Sequence, residues 1–111
     1  VKAIHYYQIA ADHDIDMVYL PLGKLYMIPG TTADYKLAHR YLSLAQEKAT
    51  TDFQLAEIEL CYGKMNKDGL GIPQNLEEAY RHFTIAASKG STEAAEELKH
   101  FKKGLFGWKL I

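Results

Sequence analysis

Three stretches of the chain repeat one arrangement of small and large apolar positions: KAIHYYQIAAD (residues 2–12), LAHRYLSLAQE (37–47) and EAYRHFTIAAS (78–88). Each has an alanine (Ala3, Ala38, Ala79), a large apolar residue four positions on (Tyr7, Leu42, Phe83) and a second alanine seven positions on (Ala10, Ala45, Ala86). Positions i, i+4 and i+7 lie on one helix face, so three helices with the same buried stripe are predicted. Their first alanines are 35 and then 41 residues apart, a spacing that belongs to stacked helical repeats.

Between these helices run two further matching segments, DMVYLPLGKLYM (16–27) and AEIELCYGKMNK (56–67), each with a large residue, a glycine and a lysine in sequence (Leu22-Gly23-Lys24, Tyr62-Gly63-Lys64). Glycine inside a helix costs about 1 kcal/mol relative to alanine. Its recurrence at matching places implies two helix backbones too close for a side chain. The repeating unit is therefore helix A, a turn, helix B and a polar linker, with Pro21 expected to start the first helix A late or to kink it. The last stretch, STEAAEELKHFKKGLFGWKLI (91–111), begins as another helix A with Ala94, Leu98 and Phe101, then loses the pattern at Gly104. Its apolar residues Leu105, Phe106, Trp108, Leu110 and Ile111 predict a tail that caps the last helix pair. The other use of such a tail, beside Lys102, Lys103 and Lys109, is as a partner or membrane-surface anchor.

The turn DGLGIPQN (68–75) superficially resembles a phosphate-binding loop, but it follows a helix rather than a strand and no lysine with Ser or Thr comes after its second glycine. A structural turn accounts for every residue in it. Gly69 ends helix A in the left-handed conformation, Gly71 permits the return, Ile72 plugs the groove between the helices, and Asn75 caps helix B with Glu78 in a capping box.

Composition narrows the function further. The chain has 111 residues, 48% of them hydrophobic, enough for one domain with a real core. Its formal net charge of −1 provides no global field toward nucleic acid or an anionic membrane. Cys61 is the only cysteine, so neither an intramolecular disulfide nor a thiolate metal site is expected, and it reads as a small packing residue. No apolar run approaches the roughly 18 residues of a membrane span. The five histidines His5, His13, His39, His82 and His100 have no metal-binding spacing, and His82 stands where the other two copies carry Tyr6 and Tyr41, as a packing residue with a polar tip. Glu57, Glu59, Glu77 and Glu78 read as solvated helix faces. No nucleophile motif is present, and neither a catalytic residue, a cofactor nor a metal is expected.

On these residues the chain resembles the Sel1-like repeats, relatives of the tetratricopeptide repeats. The likeness is strongest through Ala56, Tyr62-Gly63, Gly69-Leu70-Gly71-Ile72, Asn75, Ala79 and Ala86-Ala87-Ser88-Lys89-Gly90; residues 16 to 46 form a degenerate copy keeping Leu22-Gly23, Tyr26 and Gly30. The resemblance implies an all-α fold, a right-handed superhelical solenoid of antiparallel helix pairs. A single domain is expected over 1–111: helix B of a truncated repeat at 1–12, a degenerate repeat at 16–48, a well-matched repeat at 52–90, and a capping helix and tail at 91–111. The first block lacks its helix A, so the sequence reads as part of a longer array, with an apolar face open at Val1, Ile4 and Tyr7 through which two copies could pair.

The resemblance further implies a non-catalytic scaffold or adaptor that presents a concave surface to another protein or peptide, with no nucleic acid and no small-molecule substrate. Two alternatives stand beside it: a bacterial immunity or inhibitor protein that occludes a toxin, and a non-catalytic part of a cell-envelope enzyme whose active site lies elsewhere. Family members point toward the bacterial periplasm, envelope or secreted space. In the tetratricopeptide architecture the inner wall comes from helix A. Carried over through the matching glycines, that face holds Met17, Leu20, Lys24 and Met27 in one repeat, and Glu57, Leu60, Lys64 and Lys67 in the next. Lys24 and Lys64 align, and two such lysines could clamp an acidic peptide.

Overall fold

The computed structural model describes residues 2–30, 33–104 and 107–111. Its elements are α1 (Lys2–Asp12), a 3-10 turn (Asp16–Val18), α2 (Tyr19–Met27), α3 (Tyr35–Lys48), α4 (Asp52–Asp68), α5 (Leu76–Ser88), α6 (Thr92–Leu98), β1 (Phe101–Gly104) and β2 (Gly107–Leu110). The helices divide into two compact units, Val1–Ala49 and Thr50–Ile111, each with its own packing. The fold class is all-α, with one short hairpin added at the end of the second unit.

In the first unit α2 packs on α3 and on α1. Pro21 stands in the first turn of α2, where its missing N–H is an orphan donor in any helix, and a 3-10 turn replaces the helix before Tyr19. The helix starts late, as proline requires. Its buried residues Tyr19, Leu22, Gly23 and Tyr26 meet Ala38, Tyr41, Leu42 and Ala45 of α3. A Cβ placed on Gly23 would stand 3.0 Å from Cγ of Leu42, which is the close approach that the glycine implied. On α1 the expected buried stripe does not form: Ala3 is exposed and Tyr7 and Ala10 are half-buried, as is Ile4, and the buried residue is Ala11; Tyr6 and Ile9 are exposed, while Val1 lies outside the described residues.

The second unit is built on the α4–α5 pair, with the same seam drawn tighter. A Cβ on Gly63 would fall 2.5 Å from Cε1 of Phe83, inside van der Waals contact. Phe83 is fully buried in a core with Leu60, Ala79, Ala86, Ala94 and Phe101. Thr51 and Gln54 form a reciprocal capping box at the start of α4. Gly69, at φ 67°, ends α4 in the left-handed region.

Asn75 caps α5 by accepting from the Glu78 N–H at 3.1 Å. The reciprocal half of the expected box does not form: the Asn75 N–H donates to the carbonyl of Asn66, and the Glu78 carboxylate turns to Arg81. The expected continuation of the last helix through Phe101 is also corrected, because α6 stops at Leu98 and residues 101–110 fold back as an antiparallel hairpin. Phe101 is buried all the same, edge-on to Phe83 and Tyr80, and Trp108 stacks on Tyr80 with centroids 4.1 Å apart. Leu110 and Ile111 remain exposed, and Leu105 and Phe106 lie outside the described residues.

Candidate functional site

The expected helix A face fares differently in the two units. In the first, Met17 occupies the 3-10 turn with 82% of its surface exposed, Lys24 is exposed, and Leu20 and Met27 are half-buried. In the second, α6 lies across part of that face. Leu60 is only 5% exposed and belongs to the core, Lys64 Nζ is 2.5 Å from Glu93 Oε2, and Lys67 Nζ is 2.6 Å from Glu97 Oε2. Three of the four positions thus face the following helix, and their charges are met within the chain. Glu57 remains half-buried at the edge.

The N-terminal half of α4 and the α5–α6 turn enclose a groove of about 310 Å³. Phe53 and Ala56 supply its apolar wall; Glu57, Glu93, Lys89, Ser91 and Thr92 supply its polar side. Phe53 is 73% exposed there, in the first turn of α4. Lys89 approaches Asp52 at 3.6 Å. Sequence reading passed over Phe53 because it falls outside both repeating frames, and an aromatic at the start of a helix is no signal of exposure.

A second constellation lies between α4 and α5. Glu59, expected on a solvated face, is 8% exposed, and Nδ1 of His82 donates to its Oε2 at 2.5 Å. Tyr62 lies against the same imidazole, with centroids 5.5 Å apart. Burial of a carboxylate is costly unless it is hydrogen-bonded, and His82 provides that bond from the adjoining helix. An acid–imidazole pair is also the equipment of a general base. Here Nε2 of His82 points not to the groove but to Glu78 Oε2 at 3.7 Å and an Arg81 nitrogen at 3.4 Å, so the pair joins two helices. The hydrogen bond from Arg81 holds the Glu78 carboxyl below the usual carboxylate range.

The first unit joins its helices by different means. Tyr41 stacks against both Tyr19 and Tyr26, and the Gln8 side chain of α1 donates to the Tyr41 hydroxyl at 2.6 Å and accepts from the Tyr26 hydroxyl at 2.9 Å. Burial, then Tyr41, Asp34 and Asp12, push the Tyr26 phenol up from its ordinary value. Cys61 is buried in α4, and no helix among the described residues is long and apolar enough to cross a membrane.

Paired helices with a small-residue seam, repeated at about forty residues, define a tandem helical-repeat protein. The chain belongs to the Sel1 repeat family, whose model matches residues 1–15, 22–48 and 54–91. A Sel1 repeat protein from Oxalobacter formigenes, known from its crystal structure, is similar over 87% of the chain at 22% identity with a TM-score of 0.63; that likeness concerns the fold alone. The chain spans 38% of the length of that protein. No curated protein shows a match. Sel1 repeats generally mediate protein–protein interaction, and the family is generally non-catalytic.

Proposed function

We propose that this chain is a non-catalytic adaptor module that binds another protein, and that the groove beside Phe53 is where its second unit makes contact. The observation that carries this reading is an aromatic side chain left 73% exposed at the mouth of a groove whose other wall presents carboxylates, hydroxyls and one ammonium. A large rigid apolar anchor flanked by a few polar groups is the composition of an interaction hot spot. The first unit contributes Met17, Leu20, Lys24 and Met27; Met17 occupies the repeat position that Glu57 holds in the second and is 82% exposed. Leu60, Lys64 and Lys67 are engaged by the core and by α6, so the acidic-peptide clamp loses its second lysine.

Affinity capture with quantitative mass spectrometry tests this. Phe53→Ala and Met17→Ser should each remove a dominant partner that wild type and the exposed-site control Lys36→Ala retain, with unchanged helical circular dichroism. The Lys24→Glu plus Lys64→Glu variant should keep it. The same partners at the same yield with Phe53→Ala would refute the groove.

A further inference from the structure

The C-terminal hairpin carries a charge pattern that the packing of the second unit does not use. Side chains alternate across a strand, so Phe101, Lys103, Trp108 and Leu110 share one face and Lys102, Gly104, Gly107 and Lys109 the other. On the first face Phe101 and Trp108 pack on Tyr80 of α5, while Leu110 and Lys103 are exposed, with Lys103 Nζ 6.0 Å from the centroid of the Trp108 ring. The second is exposed, and its two lysines are directly opposite one another in the antiparallel register. Like charges so placed oppose strand pairing.

Nothing within the described residues relieves this opposition. Lys64, Lys67, Lys89 and Lys99 each have a carboxylate partner, whereas Lys102 and Lys109 have none. After Glu97 the chain has no further acidic side chain but four lysines, Lys99, Lys102, Lys103 and Lys109. Carboxylates are plentiful on the helices of the same unit, so the uncompensated positive charge is confined to the hairpin.

The hairpin is also a two-stranded sheet, and among the described residues neither strand has a second strand partner. An edge with unpaired N–H and C=O groups is a template for strand addition. Lysines at such an edge repel another copy of the same hairpin, which is one way that edges are kept from self-association. They select in favour of the opposite charge. We propose that the hairpin docks an extended acidic segment of a protein partner, added as a third strand at its edge with a carboxylate of the exposed face in the row of Lys102 and Lys109. This rests on the reading of the chain as a protein-binding module, and it assigns a surface distinct from the Phe53 groove.

The probe is a fluorescein-labelled peptide of alternating Thr and Glu, titrated by anisotropy and by emission of Trp108, the chain's single tryptophan. Wild type should bind it, bind the Thr–Lys peptide at least tenfold more weakly, and lose affinity as salt rises. Lys102→Glu plus Lys109→Glu should invert the preference, and Lys102→Gln plus Lys109→Gln should weaken the Glu peptide at least tenfold. The second variant decides the matter if the first loses the Trp108–Tyr80 contact. Absence of saturable binding by wild type, or binding unchanged in the Gln variant, overturns the inference. So does binding of phosphatidylglycerol vesicles in place of the peptide. The two surfaces are separated by Phe53→Ala: it should leave peptide binding intact, and loss there would put the peptide in the groove and overturn the hairpin assignment. Failure of the peptide with Phe53-dependent capture intact refutes the hairpin alone; the converse refutes the groove alone.

Discussion

Replacing Gly63 by alanine sets two opposing effects against each other at one atom. Alanine gains about 1 kcal/mol of helix propensity over glycine. Against that, the added Cβ would lie 2.5 and 2.6 Å from Cε1 and Cδ1 of Phe83 and 3.0 Å from its Cγ. Contacts this short force a displacement. Phe83 is fully buried and braced by Phe101 with ring centroids 5.7 Å apart, so the ring cannot swing away into solvent. Overpacking a filled core typically costs about 1–3 kcal/mol, and contacts as short as 2.5 Å put this one in the upper half of that range, so less the propensity gain Gly63→Ala should be net destabilising by about 1–2 kcal/mol.

Gly23 is the internal control. Its Cβ would meet Leu42 Cγ at 3.0 Å, Leu42 Cδ2 at 3.2 Å and the Ala38 carbonyl at 3.3 Å, which asks only for a shift of a few tenths of an ångström. The propensity gain then nearly offsets the clash, and Gly23→Ala should stay within about 1 kcal/mol of wild type. Urea unfolding followed by circular dichroism measures both. Phe83→Leu should cost less in the Gly63→Ala background than in wild type, with a coupling of about 1 kcal/mol or more, because the two changes meet at one contact. A Gly63→Ala protein as stable as wild type, or additive behaviour in the cycle, would refute the steric account of the seam.

Three further outcomes are expected. His82→Phe leaves the Glu59 carboxylate buried without its donor and should cost about 2 kcal/mol in thermal or urea unfolding, whereas the double change Glu59→Tyr plus His82→Tyr, which installs the tyrosine pair of the first unit, should be milder than His82→Phe alone. For Glu78 the folded pKa is depressed by the Arg81 hydrogen bond, so the pair's contribution to stability is complete above the ordinary carboxylate value and fades as pH falls through the depressed one; NMR titration of Arg81→Gln should show Glu78 moving back up. Tyr26 has a raised pKa, so its contribution is complete below the ordinary phenol value near 10 and is lost as pH rises through the raised one; absorbance titration at alkaline pH should show a late ionisation that Tyr26→Phe removes.

The helical parts of this fold were legible because each rests on a local rule. The alanine stripes of α3 and α5, the two seam glycines, the late start at Pro21 and the left-handed Gly69 each follow from residues within one or two turns of the position concerned, whereas the same stripe on α1 is not buried, with Ala3 exposed. The hairpin was not legible, because each strand has only four residues and the apolar run around Gly104 and Gly107 fits a packed tail as well as a strand pair. On the face expected to bind, Met17 and Lys24 lie exposed, while Leu60 is buried and Lys64 and Lys67 are half-buried against the next helix A. A repeat read by itself cannot show which of its faces the following repeat takes up.

The one place where a long-range contact could have been read is the comparison of the two copies. Aligned through Gly23 and Gly63, Tyr19 corresponds to Glu59; aligned through Ala38 and Ala79, Tyr41 corresponds to His82. The structure shows that these are partners within each unit: Tyr19 stacks on Tyr41 at 6.1 Å, and Glu59 accepts from His82 at 2.5 Å. Both members change together, from two aromatic rings to an acid and an imidazole, so the same gap between helices A and B is bridged by two different chemistries. Glu59 read alone is one carboxylate among several on α4, and its neighbour Glu57 does remain at the surface edge. Read beside Tyr19, it stands at a position that the other copy buries, which requires a hydrogen-bond donor on the facing helix, and the counterpart of His82 is the helix B residue seen to stack on Tyr19 among the described residues. Between these two copies what is kept is therefore the filled and satisfied contact, while both residues that fill it differ.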